Sequence, residues 1–162
     1  MRPTGTLAIP CLFSLCALLV ARDAWPRAMP AQAGLPENSF QGWSCWGTDG
    51  TGVGNICGSG TTDTEWWNMP LPVDAYATFN VREDVYGSYL QTGPWVSCIA
   101  EAESVESNNE WTFTTSSRAT TSTTGVQWQT LNLGTVSVFG GASLLMYCQA
   151  TYQGQMAQSN WW

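Results

Sequence analysis

The chain has 162 residues, with five arginines, no lysine, no histidine and twelve carboxylates, for a net charge of −7 at pH 7. Phosphate backbones and anionic headgroups need clustered Lys and Arg, so neither nucleic acid nor an anionic membrane surface is a partner. With no imidazole and no lysine amine, Ser-His-Asp triads, Cys-His dyads, imidazole metal sites, P-loops and Schiff bases are all excluded. Any reaction here would have to run on carboxylates, as glycoside hydrolysis does.

The N-terminal segment has Arg2 ahead of an apolar run from Leu7 to Ala21. That run fits the hydrophobic stretch of a signal peptide and is short for a membrane span. The small-residue site Ala31-Gln32-Ala33 predicts cleavage before Gly34, with a cut nearer Ala21 as the alternative. Cys11 and Cys16 follow Pro10 and Leu15, which make no lipid-attachment motif. Residues 1–33 are therefore expected to be a signal peptide, and residues 34–162 a single domain outside the cell or in the periplasm. No stable membrane insertion is expected after cleavage.

Four cysteines remain: Cys45, Cys57, Cys98 and Cys148. In an exported chain an even set reads as disulfides. Zinc is the competing reading, but it would lack histidines and a close CxxC pair. Cys45 and Cys57 flank the glycine-rich CWGTDGTGVGNIC, which must turn back on itself. In PWVSCIAEAES, Cys98 shares a strand face with Val96, Ala100 and Ala102, while Ile99, Glu101 and Glu103 point the other way. In SLLMYCQATY, Cys148 shares its face with Leu144, Met146 and Ala150. Two inward cysteines on two strands can bridge a core, so the expected bonds are Cys45–Cys57 and Cys98–Cys148.

Between these segments the alternation continues. Phe79 and Val81 alternate with Asn80 and Arg82, and the following Glu83-Asp84 reads as a solvated turn. Trp111 and Phe113 alternate with threonines, and Trp111 and Trp128 fit core positions against a disulfide. The run at 114–124, TTSSRATTSTT, reads as a polar strand end and an exposed loop; it lacks the apolar alternation that a membrane-inserting hairpin needs. The apolar register shifts across Gly134, from Leu131 and Leu133 to Val136 and Val138, as a bulge would make it. With no sustained helical period, seven or eight short strands predict an all-β, disulfide-stapled antiparallel two-sheet sandwich, jelly-roll-like in form.

Ten tryptophans are the remaining signal, and four stand in adjacent pairs, Trp66-Trp67 and Trp161-Trp162. Neighbours on a strand face opposite ways, so at least one indole of each pair must leave the core or cover an edge. Exposed indoles beside carboxylates and amides are what a sugar requires, a flat apolar ring for its C–H face and polar groups for its hydroxyls. The candidate ligand residues are therefore Trp66, Trp67, Trp161, Trp162, Asp63 and Glu65, with carbohydrate as the partner. The expected function is a secreted, non-enzymatic glycan-binding module. A structural or assembly protein whose terminal Trp pair closes a sheet edge is the first alternative. The second is a hydrolase using Asp63 with Glu65, or Glu101 with Glu103. No cofactor is expected, although Asp49, Asn55, Asp63 and Glu65 carry the oxygen ligands that Ca²⁺ takes, in a spacing unlike an EF-hand.

Overall fold

The computed structural model describes residues 26–37, 42–58, 64–89, 93–105 and 109–162. The described strands are, in chain order, β1 (Arg27–Pro30), β2 (Leu35–Pro36), β3 (Trp46–Thr48), β4 (Val53–Asn55), β5 (Thr64–Leu71) and β6 (Thr78–Gly87). They continue with β7 (Val96–Val105), β8 (Trp111–Thr115), β9 (Ala119–Thr120), β10 (Gln127–Ser137), β11 (Ser143–Thr151) and β12 (Gln155–Trp161). One 3₁₀ turn, Ala31–Ala33, and one helical turn, Gly42–Cys45, complete the described elements. No described helix is long and apolar enough to cross a membrane.

The strands form two six-stranded antiparallel sheets. The first runs β10-β6-β12-β4-β3, with β1 also paired to β12; the second runs β2-β5-β11-β7-β8, with β9 also paired to β7. This is the expected sandwich, with more strands than the seven or eight expected because the short edge segments carry no alternation of their own. Each long strand turns one face inward. Phe79, Val81 and Val85 of β6, with Leu131, Leu133 and Val136 of β10, meet Val96, Cys98, Ala100 and Ala102 of β7 and Leu144, Met146, Cys148 and Ala150 of β11. Burying such side chains contributes about 25 cal/mol per Å² of apolar area, the main term holding the two sheets together. The bulge expected at Gly134 is present: the β10–β6 register shifts between Asn132 and Gly134, and Gly134 has φ +78°. That left-handed conformation costs a non-glycine residue, which places the glycine there.

Both disulfides form as expected, Cys45–Cys57 and Cys98–Cys148. The second differs in geometry from the expectation. Cys98 and Cys148 are directly opposite each other on neighbouring strands β7 and β11, with Cα atoms 4.1 Å apart. The bond therefore staples one sheet internally and does not bridge the two.

Two other expectations are corrected, for Glu83 and for the 114–124 run. Residues ahead of Gly34 pack with the rest of the fold. β1 pairs with β12 from Arg27↔Trp161 to Pro30↔Gln158, Ala31 is fully buried, and the Trp67 indole N–H donates to the Ala31 carbonyl at 2.9 Å. The apolar run Leu7–Ala21 lies outside the described residues. Glu83 is not in a solvated turn. β6 continues to Gly87, so the alternation that buries Val81 and Val85 carries Glu83 into the core with them. The 114–124 run begins as a strand end and has exposed residues, as expected, but two of its hydroxyl residues are not exposed. Ser116 and Thr121 are buried, and their hydroxyls accept from the backbone N–H groups of Ala100 (2.9 Å) and Val96 (3.2 Å). Hydroxyls here replace ladder bonds where the edge strand breaks after β8 and ends after β9.

Candidate functional site

The outer face of the second sheet is assembled by register. Asn68 of β5 faces Tyr147 of β11, which faces Ile99 of β7. One row along, Leu145 faces Glu101, which faces Thr115 of β8; in the next row Ser143 faces Glu103, which faces Phe113. Trp66 stands on this face because Trp67, its neighbour, points into the core against Trp46, ring centroids 5.0 Å apart. Together Glu37, Trp66, Ile99, Glu101, Glu103, Arg118 and Tyr147 line an open groove of about 460 Å³. Aromatic and charged groups thus meet across three adjacent strands, about 4.8 Å from one to the next.

The groove is electrostatically one-sided. Three carboxylates face a single cation, Arg118, whose guanidinium lies over the Trp66 ring 5.5 Å from its centroid. Such a contact restrains both side chains. The Tyr147 hydroxyl donates to Glu103 Oε1 at 2.5 Å. Partial burial raises the Glu101 pKa, the neighbouring Glu103 charge raises it further, and Arg118 opposes both. The Tyr147 phenol is pushed up, first by burial, then by its bond to Glu103 and the charges of Glu103, Glu101 and Glu37. Glu101 is thereby biased toward its protonated form, beside a Glu103 held by a phenol.

The structure separates the expected ligand residues. Trp66 lines the groove, while Trp67 is core. Trp161 is also core, its indole N–H donating to the Pro72 carbonyl at 3.2 Å. Trp162 lies on the far side of the molecule, on the outer face of the first sheet, with the Arg82 guanidinium 4.5 Å from its ring centroid. Glu65 follows the inward register of Trp67 and Met69, so it does not share a face with Trp66. Asp63 lies outside the described residues. The two Trp pairs therefore do not form one platform: each contributes one indole to packing and one to an outer face, and the outer faces are opposite. Trp111 and Trp128 are corrected as well, being 65% and 47% exposed. Their strands offered two faces, and the second sheet or solvent, not alternation, decides which is covered.

Two of the residues named for calcium, Asp49 and Asn55, make hydrogen bonds within the protein. Asp49 Oδ1 accepts from Thr51 N–H and hydroxyl (2.9 and 2.6 Å) and from Gly52 N–H, which lowers its pKa. Asn55 is buried, donating to the Ala150 carbonyl and accepting from Cys57 N–H. Among the described residues no group of three His, Cys, Asp or Glu side chains is arranged to hold a metal. The reading from sequence missed Tyr147, Arg118 and Glu37. Alternation alone placed Tyr147 outward, opposite to Cys148, but only cross-strand register brings the three beside Trp66.

No protein-family model matches the chain, and no curated protein does. Among solved structures, the chain is similar to the CBM22-1 and GH10 modules of Clostridium thermocellum endo-1,4-β-D-xylanase 10B, complexed with xylohexaose. The identity is 10% and the TM-score 0.48, over 82% of this chain and 25% of that one, so the chain spans about a quarter of that protein's length.

Proposed function

We propose that the chain is a secreted, disulfide-stapled sandwich that binds a glycan in the groove on the outer face of its second sheet. The observation that carries this reading is the conjunction of Trp66 and Tyr147 with Glu37, Glu101, Glu103 and Arg118 along one open groove. The indole offers apolar surface to a sugar's C–H face, and the carboxylates and guanidinium accept from and donate to its hydroxyls. Two disulfides suit an oxidising compartment. Calorimetry against neutral oligosaccharides of several linkages, followed by Trp emission, tests it. Trp66→Ala should weaken binding at least about tenfold, or roughly 1.4 kcal/mol, with the fold unchanged. Failure of every sugar to bind or to shift the emission removes the reading.

A hydrolase is the second reading, and one observation favours it. Glu101, raised toward protonation, and Glu103, bonded to Tyr147, are two apart on β7 and face the same groove. Carboxyls whose environments differ in this way serve as acid and base partners in glycoside hydrolysis. Release of reducing ends by the intact protein, abolished in Glu101→Gln and Glu103→Gln, would establish it; no release from the bound sugar leaves binding alone.

A further inference from the structure

We infer that the outer face of the first sheet carries a second carbohydrate site, built on Trp128 and Tyr86, so that one chain bridges two glycan strands. Trp128 of β10 and Tyr86 of β6 are register partners, with ring centroids 5.3 Å apart and planes tilted by 51°. Neither ring serves the core, because the inward positions beside them belong to Val85 and its register partner Gln129. The two rings in contact make a contiguous aromatic patch on an outward face, the kind of surface that marks a binding site where a lone exposed side chain does not.

A hollow lies on each side of the ring pair. One, of about 470 Å³, is bounded by Trp128 with Asp84, Thr130 and Gln129; the Thr130 hydroxyl donates to Asp84 Oδ1 at 2.6 Å. The other, of about 420 Å³, is bounded by Tyr86 with Tyr152, Gln153 and Gln155. The walls are three aromatic rings, Trp128, Tyr86 and Tyr152, set among hydroxyls, amides and the carboxylates of Asp49 and Asp84. A polyhydroxylated chain can lay its C–H faces on these rings and exchange hydrogen bonds with the hydroxyls and carboxylates set between them. A neutral glycan is therefore the occupant.

The groove at Trp66 and this site lie on the outer faces of opposite sheets, so a ring held at one cannot touch the other. The second site stands on its own geometry; only bridging also requires the groove reading. Two weak sites on one rigid body give a large gain in avidity for a polymer without any new contact.

The test uses cellohexaose, laminarihexaose, xylohexaose and mannohexaose in calorimetry, and the corresponding soluble polysaccharides in turbidity. Wild type should bind about two hexasaccharides per chain and precipitate the polymer. Trp66→Ala and Trp128→Ala should each bind about one and precipitate nothing, and the double variant should bind none. Thr130→Arg, which fills one hollow and leaves both rings, should reproduce Trp128→Ala and guards against a folding defect. A stoichiometry near one that Trp128→Ala leaves unchanged overturns the second site and keeps the groove. A stoichiometry near one that Trp128→Ala abolishes and Trp66→Ala spares keeps the second site and overturns bridging. Absence of binding to all four sugars overturns both.

Discussion

A carboxyl taken out of water either finds partners or gives up its charge, because desolvating the ion costs several kcal/mol. Glu83 does the second. It is fully buried, one oxygen accepts from the Ser159 hydroxyl, and the other has no hydrogen-bond partner among the described residues. Burial pushes its pKa up to about 8, partly offset by the Ser159 bond, while the Asp84 charge adds to the rise. Because the folded value is raised, the contribution to stability is complete below the unfolded pKa near 4.5 and is lost as pH climbs through about 8. The full span amounts to roughly 5 kcal/mol at most. The thermal midpoint should therefore fall between pH 5 and 8, and Glu83→Gln, neutral at every pH, should flatten that slope. A midpoint that rises over this interval in wild type, or an unchanged slope in the variant, would show that Glu83 is charged in the core.

At the scale of elements, two segments hold the sandwich by different means. β1 adds a strand beside β12, and Ala31 places its carbonyl under the Trp67 indole. A protein begun at Gly34 would lose the strand and leave that buried N–H without its acceptor, a loss of about 1–3 kcal/mol for the N–H alone. It should unfold at lower urea than a protein begun at Arg22, and N-terminal sequencing of exported material should read a residue at or before Arg27. Equal urea midpoints would remove β1 from the stable fold. The disulfides differ in what they close: the Cys98–Cys148 loop spans 50 residues and the Cys45–Cys57 loop 12. Loop-closure entropy makes the longer one worth about 1 kcal/mol more. Its cysteines are also buried in the sheet, whereas Cys57 is half-buried. Replacing Cys98 and Cys148 by serine should lower the guanidinium midpoint more than replacing Cys45 and Cys57. The reverse order would mean that the glycine loop, not the β7–β11 pair, is the weaker scaffold.

The whole molecule carries a net charge of −7, and its groove repeats that imbalance with three carboxylates against Arg118. Like charges repel a polyanion within a Debye length, about 8 Å at physiological salt. Heparin and polygalacturonate should therefore pass the immobilised protein unretained at 0.15 M salt, a concentration at which that screening length still holds. A neutral glycan that binds should do so with little dependence on salt. Retention on heparin, eluted by salt, would contradict the sign of the surface. The two outer faces differ in degree: the first sheet sets Arg82 over Trp162 and spaces Asp49 and Asp84 among amides and hydroxyls, whereas the second gathers Glu37, Glu101 and Glu103 in one groove.

Much of this was legible from residues alone, since it depends on neighbours in the chain. A two-residue period in β7 and β11 placed Cys98 and Cys148 on inward faces, and the same period required each Trp pair to split between core and outside. The shift across Gly134 announced the bulge, and composition removed imidazole and lysine chemistry. What remained undecided depends on contacts distant in sequence. Alternation defines two faces of a strand without saying which one another sheet will cover, so it points Trp111 and Trp128 inward, where they are exposed, and leaves Glu83 to solvent, where it is buried. Cross-strand register, set by the pairing of whole strands, brings Tyr147, Arg118 and Glu37 to Trp66, residues as much as 110 positions apart along the chain. The groove exists only where those strands lie side by side, because each contributes too few groups to hold a ligand by itself.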